Sequence, residues 1–361
     1  MPHIYDNRVV ILIPLLLALI TFRDFLMINS WPEFLANEVQ ENPHMTDQLT
    51  HKNDNPFWLC DLTTNNCIKL LGDKSADFLQ GQATCDVNLV NKTHITLGSL
   101  CDYKGRVYAI FYLFVWQDNY YLWLPHDIIE NTITQLSKYA VFSKVILQNQ
   151  TNELVTIGIG GSQCEKYLTT ILADVPKAAN ECTQNDQYIL IKISEIPQRY
   201  LLTSTNSEMQ KYWQLLRQHA NHVSSKNWEL NNITEAIPMI HTQTINLFTP
   251  HQLNLPELNA VSFNKGCYTG QEIVARTQYL GKLKQHLYRA MVNLPIHPQP
   301  GEKISVSTEN NEINEIGIIV NSALHENNQY DLLAVLQDNA VELSPFILQQ
   351  NMKYYLKNIE R

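Results

Sequence analysis

Hydrophobic and polar positions along the chain follow two periods, two residues in many short runs and three to four residues in a few longer ones. Short apolar runs bounded by turn residues predict strands at 58–62, 67–71, 97–100, 107–115, 120–124, 141–147, 154–159 and 188–193. The longer period predicts helices at 127–136, 207–220 and 228–237, and one more after the Gly72-Asp73-Lys74 turn. This mixture of strands and helices predicts an α+β fold.

The pattern changes beyond residue 286. Short β-rich runs alternate there with turns such as Pro298-Gln299-Pro300-Gly301, and the runs lie at 287–292, 303–306, 315–322, 330–336 and 351–356. Such spacing predicts a small closed β-barrel or sandwich. We therefore expect three parts: an N-terminal extension and linker at 1–56, an α+β region at 57–286 and a C-terminal β-barrel at 287–361.

An apolar run of twelve residues, 9–20, lies near the N-terminus. It is short for a bilayer span, and no small-x-small cleavage site follows it. Three interpretations fit: an uncleaved signal-like anchor, a buried helix, or sequence upstream of the natural start. We favour the last because Met27 opens a chain of ordinary globular composition. We therefore expect residues 1–26 not to be native and the native form to have no membrane contact.

Composition narrows the function classes. Hydrophobic residues make up 45% of the chain, which is enough for real cores, and the net charge of -9 argues against strong direct binding of nucleic acid. The seven cysteines are scattered and form no C-x-x-C pair, which suits a reducing compartment and argues against a cysteine-built metal site. We expect a cytoplasmic protein without a metal. The Gly158-Ile159-Gly160-Gly161 cluster lacks full dinucleotide-binding spacing and predicts a strand-to-helix turn.

Special residue types are concentrated in one stretch, Asn264-Lys265-Gly266-Cys267-Tyr268-Thr269-Gly270-Gln271-Glu272-Ile273-Val274-Ala275-Arg276. Thr269 and Glu272 have the spacing of a capping box, which predicts that a helix begins at Gly270. Cys267 then lies just ahead of a helix N-terminus and close to Lys265, and both features favour a thiolate. In the alternative interpretation, Cys267 is a small buried residue in a turn. The residues alone leave both open.

This stretch and several others resemble the bacterial YgfZ family, the folate-binding tRNA-modifying proteins related to the glycine-cleavage T-protein. The similar segments follow one another in the family's order, at 78–87, 101–106, 138–145, 248–255 and 261–272. Together they place the resemblance over roughly residues 57–361. It implies a multi-domain, T-protein-like α+β fold with two subdomains in the region 57–286, a central channel for tetrahydrofolate, and a C-terminal β-barrel.

The resemblance also implies the site. Lys265 and Cys267 take the positions of the family's essential lysine and cysteine, within a motif that includes Gly266, Tyr268, Thr269, Gly270, Gln271, Glu272 and Arg276. Trp228 takes the position of a folate-contacting tryptophan. The family's other such tryptophan corresponds to a position near Asn65, where no aromatic residue stands. Either Trp58 substitutes for it, or folate is bound more weakly or differently.

The function implied is that of an accessory protein in the assembly or repair of iron-sulfur enzymes. Its partners would include radical enzymes that thiomethylate tRNA, so the link to tRNA would be indirect. The alternative is a tetrahydrofolate-dependent aminomethyltransferase, which carries an aspartate on the strand after its Gly-rich turn. The matching run, 105–110, has no carboxylate, so we expect that chemistry to be absent. A cysteine-nucleophile hydrolase lacks a recognisable histidine motif here. Whether the protein catalyses any reaction is left open.

Overall fold

The computed structural model describes residues 30–41, 56–307, 310, 312–326, 328–350 and 352–361. The chain divides into two compact units, residues 1–44 and residues 45–361. The first unit contains helix α1 (Trp31–Glu41), on which the rings of Trp31 and Phe34 stack with their centres 5.3 Å apart. The apolar run at 9–20 lies outside the described residues, as does the linker predicted before Pro56.

The second unit contains strands and helices that alternate along the chain. Its described strands are β1 (Trp58–Asp61), β2 (Asn65–Leu71), β3 (Thr96–Cys101), β4 (Val107–Trp116), β5 (Asn119–Pro125), β6 (Ile146–Asn149), β7 (Leu154–Gly160), β8 (Cys182–Gln184), β9 (Tyr188–Glu195), β10 (Gln198–Thr205), β11 (Asn221–His222), β12 (Gln285–Asn293), β13 (Lys303–Ser307), β14 (Ile313–Glu326), β15 (Gln329–Gln337), β16 (Phe346–Gln349), β17 (Met352–Tyr355) and β18 (Lys357–Glu360). Its described α-helices are α2 (Ser75–Gln80), α3 (Ile129–Ser143), α4 (Cys164–Ile171), α5 (Asn206–Leu216), α6 (Ser225–Thr234) and α7 (Gln271–Leu280).

These strands form three sheets. One has five strands in the order β3-β4-β5-β2-β6, and a second has six in the order β11-β1-β7-β10-β9-β8. The third lies at the C-terminus and has seven strands in the order β17-β16-β13-β14-β15-β12-β18. The pairing of β1 with β11 is parallel, whereas strands such as β4 and β5 or β9 and β10 pair antiparallel.

The main core is built around β4. Each of its ten residues is buried, because side chains on both faces of this strand are covered. Aromatic residues hold the neighbouring strand to it: Phe114 stacks on Tyr121 of β5 at 5.4 Å between ring centres. The core continues without interruption from this sheet to the C-terminal sheet, where Leu287 and Val335 belong to the same buried cluster.

The C-terminal sheet is curled into a half-barrel. The register shifts between Ile319 and Asn321 of β14, where it pairs with β15, and again between Ile304 and Ser305 of β13. Such irregularities add residues to one strand of a pair and bend it, which lets a sheet curl around its own core. The β-rich pattern beyond residue 286 predicted the region correctly but missed the short strands β16 and β18.

The predicted strand at 141–147 is wrong. Helix α3 continues through Ser143, Lys144 then adopts a left-handed conformation with φ of 54°, and β6 begins at Ile146. The β-branched and aromatic residues in this run suggested a strand, but the buried positions Leu136 and Ala140 lie at helical spacing. Burial of that face therefore outweighs local strand propensity.

Candidate functional site

Lys265 joins the Lys-Gly-Cys motif to the segment 78–87. Its ammonium donates hydrogen bonds to the carbonyl oxygens of Ala83, at 2.9 Å, and Cys85, at 2.8 Å. The same nitrogen lies 5.3 Å from the centre of the Tyr268 ring, which is itself buried. Burial lowers the pKa of Lys265, and the nearby Cys85 and Asp86 act against that shift. The lysine thus ties the Lys-Gly-Cys motif to the backbone of the segment 78–87.

The predicted capping box at Thr269 is wrong. Helix α7 begins at Gln271, and its N-cap is Gly270, which makes no side-chain capping bond. The hydroxyl of Thr269 lies 3.2 Å from the side-chain oxygen of Gln82, and its backbone N–H donates to the Gly81 carbonyl at 3.2 Å. The Thr269 hydroxyl therefore bonds to a residue distant in sequence, although its spacing predicted a bond to the helix N-terminus.

The segment 101–106 lies directly against the start of α7. Asp102 accepts hydrogen bonds from the N–H groups of Lys104 and Arg106, at 2.8 and 2.9 Å, and so closes a tight turn. Gly105 in that turn has φ of 68°, and a Cβ on it would lie 3.1 Å from the Ile273 side chain. Only a residue without a side chain allows this close approach.

The other similar segments meet at the same place. The guanidinium of Arg106 donates to the Leu247 carbonyl at 2.7 Å, and the Val107 N–H donates to the Phe248 carbonyl at 2.8 Å. A cavity of about 210 Å³ lies at this junction, and its wall takes Lys138 and Tyr139 from α3 together with Thr269. Five segments that are far apart in sequence therefore converge on one region.

Cys267 is the exposed thiol of this region. All seven cysteines are described, and the other six are buried. Burial raises the pKa of Cys85, Cys101, Cys164 and Cys182 to about 12, and that of Cys60 and Cys67 further. Gly266 beside it has open space where a Cβ would stand. The alternative interpretation of Cys267 as a buried turn residue is therefore wrong.

The remaining motif residues differ in exposure. Glu272 and Arg276 are exposed on α7, whereas Gln271 at the first position of the helix is half-buried. Within the described part of the chain, Cys267 lines neither the cavity at the junction nor the larger cavity described next. The motif therefore presents its thiol to solvent.

The second part of the site is a cavity of about 250 Å³ between the α+β region and the C-terminal sheet. One wall is a single face of α6, because the lining residues Ser225, Trp228, Glu229, Asn232 and Ile233 recur at helical spacing. The remaining lining residues are Leu62, Thr64, Asn65, Pro125, Asp127, Ile237, Met239, His241, Gln243, His297, Gln299, Pro300, Asn321 and Ser322. The structure thus brings Trp228 and Asn65, predicted from different parts of the chain, to one cavity.

Trp228 packs against the guanidinium of Arg199. The guanidinium carbon of Arg199 lies 4.6 Å from the centre of its ring, and only 2% of Trp228 is exposed. Arg199 is itself fully buried, and it is paired with Glu235 at 2.7 Å and with Asn232 at 2.8 Å. One face of the indole is therefore covered, and a ligand in the cavity has only the remaining surface of the ring to contact.

Trp58 does not stand on the cavity wall. It packs edge-on against Trp228, with ring centres 6.4 Å apart, and Asn65 supplies an amide at the position near which the family has its other tryptophan. The Gly158–Gly161 cluster explains this arrangement. A Cβ on Gly158 would lie 2.7 Å from Trp228, and one on Gly160 would overlap Trp58. The glycines end β7 ahead of α4, as a strand-to-helix turn was predicted to do, and they make room for two indoles.

The polar groups of this cavity were missed at the sequence level. Asp127 accepts hydrogen bonds from the Thr242 N–H, at 2.9 Å, and lies 3.3 Å from Nδ1 of His241. Burial alone would raise the pKa of Asp127, but these contacts hold it below its ordinary value. The polar positions 225, 229 and 232 do recur on one face of the helix, and that spacing was a usable signal.

Within the described ranges, no helix is long and apolar enough to cross a membrane. In the same part of the chain, no group of three or more His, Cys, Asp or Glu residues is arranged to hold a metal ion.

Curated proteins named tRNA-modifying protein YgfZ are similar to this chain. A protein named tRNA-modifying protein YgfZ from Yersinia pestis (strain Pestoides F) is 33% identical over 249 residues, which cover 69% of this chain and 75% of that protein. Its namesake from Yersinia enterocolitica is 31% identical over 262 residues, which cover 73% of this chain and 79% of that protein. No family model matches the chain.

A solved structure confirms the predicted fold. The glycine cleavage system aminomethyltransferase T from Bartonella henselae superposes with a TM-score of 0.68 over 85% of this chain and 86% of that protein. The sequences are only 13% identical over this alignment, so the likeness is one of fold. The α+β, T-protein-like architecture with a C-terminal β-barrel, here curled as a half-barrel, is therefore confirmed.

Proposed function

Because this chain belongs to the YgfZ family of tRNA-modifying proteins, we propose that it binds a folate in the cavity beside α6 and thereby supports tRNA modification. The link to tRNA runs through iron-sulfur enzymes, whose assembly or repair the protein assists. Radical tRNA methylthiotransferases are the client class that the resemblance implies. Strong direct binding of nucleic acid is not part of the proposal, because the net charge is -9.

The single observation that carries the folate proposal is the convergence of Trp228 and Asn65 on one cavity of about 250 Å³. The wall combines an apolar side, with Ile233, Ile237 and Met239, and a polar side made of amides and carboxylates. This composition is typical of sites for flat heteroaromatic ligands, which are enclosed by apolar groups and oriented by a few hydrogen bonds. In this proposal the pterin ring of a tetrahydrofolate occupies the cavity, and its charged tail extends to solvent.

The functional thiol of the proposal is Cys267. It is the exposed cysteine of the seven, and its backbone is held from within by the two hydrogen bonds of Lys265. A thiol in this setting is accessible to a partner protein or a small electrophile. We assign it to redox, sulfur or one-carbon exchange with a client.

Aminomethyl transfer is not proposed. The strand β4 carries the sequence VYAIFYLFVW, which has no acidic residue, and Ala109 on it is fully buried. A group that handles the proton of an attacking amine must reach the reacting atoms. This strand offers no such group.

Complementation tests the functional proposal. A strain that lacks its native copy of the gene is supplied with wild-type protein or with Cys267→Ala, and 2-methylthio modification of tRNA is measured by mass spectrometry. We expect the wild type to restore the modification and Cys267→Ala to restore much less at equal protein level. Full restoration by Cys267→Ala would show that the thiol is dispensable. Failure of the wild type to restore the modification would contradict the role in tRNA modification.

A further inference from the structure

The polar side chains that line the larger cavity are mostly bonded within the protein. Asn321 holds both the N–H and the carbonyl of Met239, at 2.9 and 3.0 Å, and Asn232 accepts a hydrogen bond from Arg199 at 2.8 Å. His297 lies 3.0 Å from the Ser322 hydroxyl. These hydrogen bonds hold the side chains of the cavity wall in place and leave them few free donors or acceptors for a ligand.

The two carboxylates on the wall differ in this respect. Asp127 accepts from the N–H of Thr242, at 2.9 Å, and from its hydroxyl, at 3.2 Å, and it lies 3.3 Å from His241. Glu229 accepts no hydrogen bond from any residue in the described part of the chain, although it is half-buried. Its acceptor capacity is therefore free.

A carboxylate in such a place is partly shielded from water. Burial raises the pKa of Glu229, and the charges of His241 and Lys226 act against that shift. A half-buried acceptor without a partner loses hydration that no hydrogen bond replaces. A ligand that brings two N–H donors into the cavity would recover that loss.

We propose that Glu229 is the residue that selects the pterin ring, by accepting two parallel hydrogen bonds from the N3–H and the 2-amino group of a reduced folate. This inference rests on the proposed folate function. The two donors on that edge match the two oxygens of a carboxylate, and hydrogen bonds to an ionised acceptor are stronger than neutral ones. The rest of the same helix face, Trp228 and Ile233, supplies an apolar surface for the ring itself.

Replacement of Glu229 by glutamine gives a matched test. Glutamine keeps the size of the side chain but presents one acceptor and one donor, so it cannot accept both bonds. Asn227→Ala changes the same helix at a position that does not line the cavity, and it serves as the control. Thermal unfolding of each variant verifies that the fold is intact.

The experiment titrates wild type, Glu229→Gln and Asn227→Ala with two probes, 5-formyltetrahydrofolate and its analogue with a 2-methyl group in place of the 2-amino group. We expect Glu229→Gln to bind 5-formyltetrahydrofolate roughly 10-fold or more weakly than wild type, because a charge-assisted pair is lost. Wild type should discriminate against the analogue by a similar factor, Asn227→Ala should do the same, and Glu229→Gln should discriminate little.

Two results would overturn the proposal in distinguishable ways. If wild type binds both probes equally well, or Glu229→Gln discriminates as wild type does, the role of Glu229 is wrong while folate binding stands. If wild type binds neither probe, the folate function itself is wrong, and the role of Glu229 is lost with it.

Discussion

Gly270 packs against Gly105, and neither position accepts a side chain. A Cβ added to Gly270 would lie 3.2 Å from the Cα of Gly105 and 2.5 Å from the carbonyl oxygen of Asp102. Both glycines have positive φ, 84° and 68°. The turn at 102–105 and the start of α7 are therefore in direct backbone contact, and the segment that carries Cys267 is held by that contact.

Substitution of Gly270 by alanine should destabilise the protein by about 1–3 kcal/mol, because left-handed φ and a clash with backbone both act on a side chain there. Denaturant unfolding measures the change. Gly266→Ala is the matched control, since space is open at that position, and it should stay within about 0.5 kcal/mol of wild type. Similar unfolding free energies for the two variants would show that the contact with Gly105 is loose.

Thiol labelling should distinguish Cys267 from the other cysteines. Under native conditions an alkylating reagent should modify one thiol rapidly, because six of the seven are buried. Intact mass spectrometry counts the adducts, and denaturant should raise the count to seven. Cys267→Ser should abolish the rapid phase. Rapid native labelling of that variant would mean that a buried cysteine becomes accessible.

Asn65→Trp should strengthen folate binding. The substitution places an indole where the family has its other tryptophan, on the wall of the cavity that Trp228 also lines. An aromatic contact with the ligand ring contributes about 0.5–1.5 kcal/mol, which corresponds to a roughly 2- to 10-fold lower Kd. Calorimetry gives the Kd. Asn65→Ala removes the amide without adding a ring and should not tighten binding. Weaker binding by Asn65→Trp would mean that the indole fills the space that the ligand needs.

The titration of Glu229 should make the free energy of unfolding depend on pH. Its pKa in the folded protein is raised by burial, so between the unfolded and the folded pKa the folded state binds more protons than the unfolded state. Stability contributed by the neutral form is thus present at low pH and lost as pH rises through the folded pKa. Relative to wild type, Glu229→Gln should become more stable as pH rises above about 4.5, the ordinary value for a glutamate. Urea unfolding at several pH values without folate measures the difference, and a flat or falling difference would contradict the burial.

Much of this site could be predicted from residue types and their order. The Lys-Gly-Cys segment was identified from its residue types. Trp228 and the position of Asn65 were identified from the resemblance, and both line one cavity. Long apolar runs such as β4 were also predicted correctly, because a strand that is buried on both faces has a continuous run of apolar residues.

The rest depended on contacts between distant residues. The Thr269 hydroxyl donates a hydrogen bond to Gln82, which lies far away in sequence, so the local spacing predicted the wrong partner for it. The end of α3 was predicted wrongly for a similar reason, because tertiary packing decides the burial of Ala140. Glu229 was not singled out, because a glutamate on a helix is ordinarily a solvated residue. Only the structure shows that it lines a cavity without a partner.

The central claim is that a folate binds in the cavity beside α6. Isothermal titration with 5-formyltetrahydrofolate tests it on wild type and on Ser225→Trp, which fills the cavity from the same helix face. We predict saturable binding of one ligand per chain to wild type and at least about 10-fold weaker binding to the filled variant. No binding to wild type, or equal affinity for both proteins, would contradict the assignment of this cavity to folate.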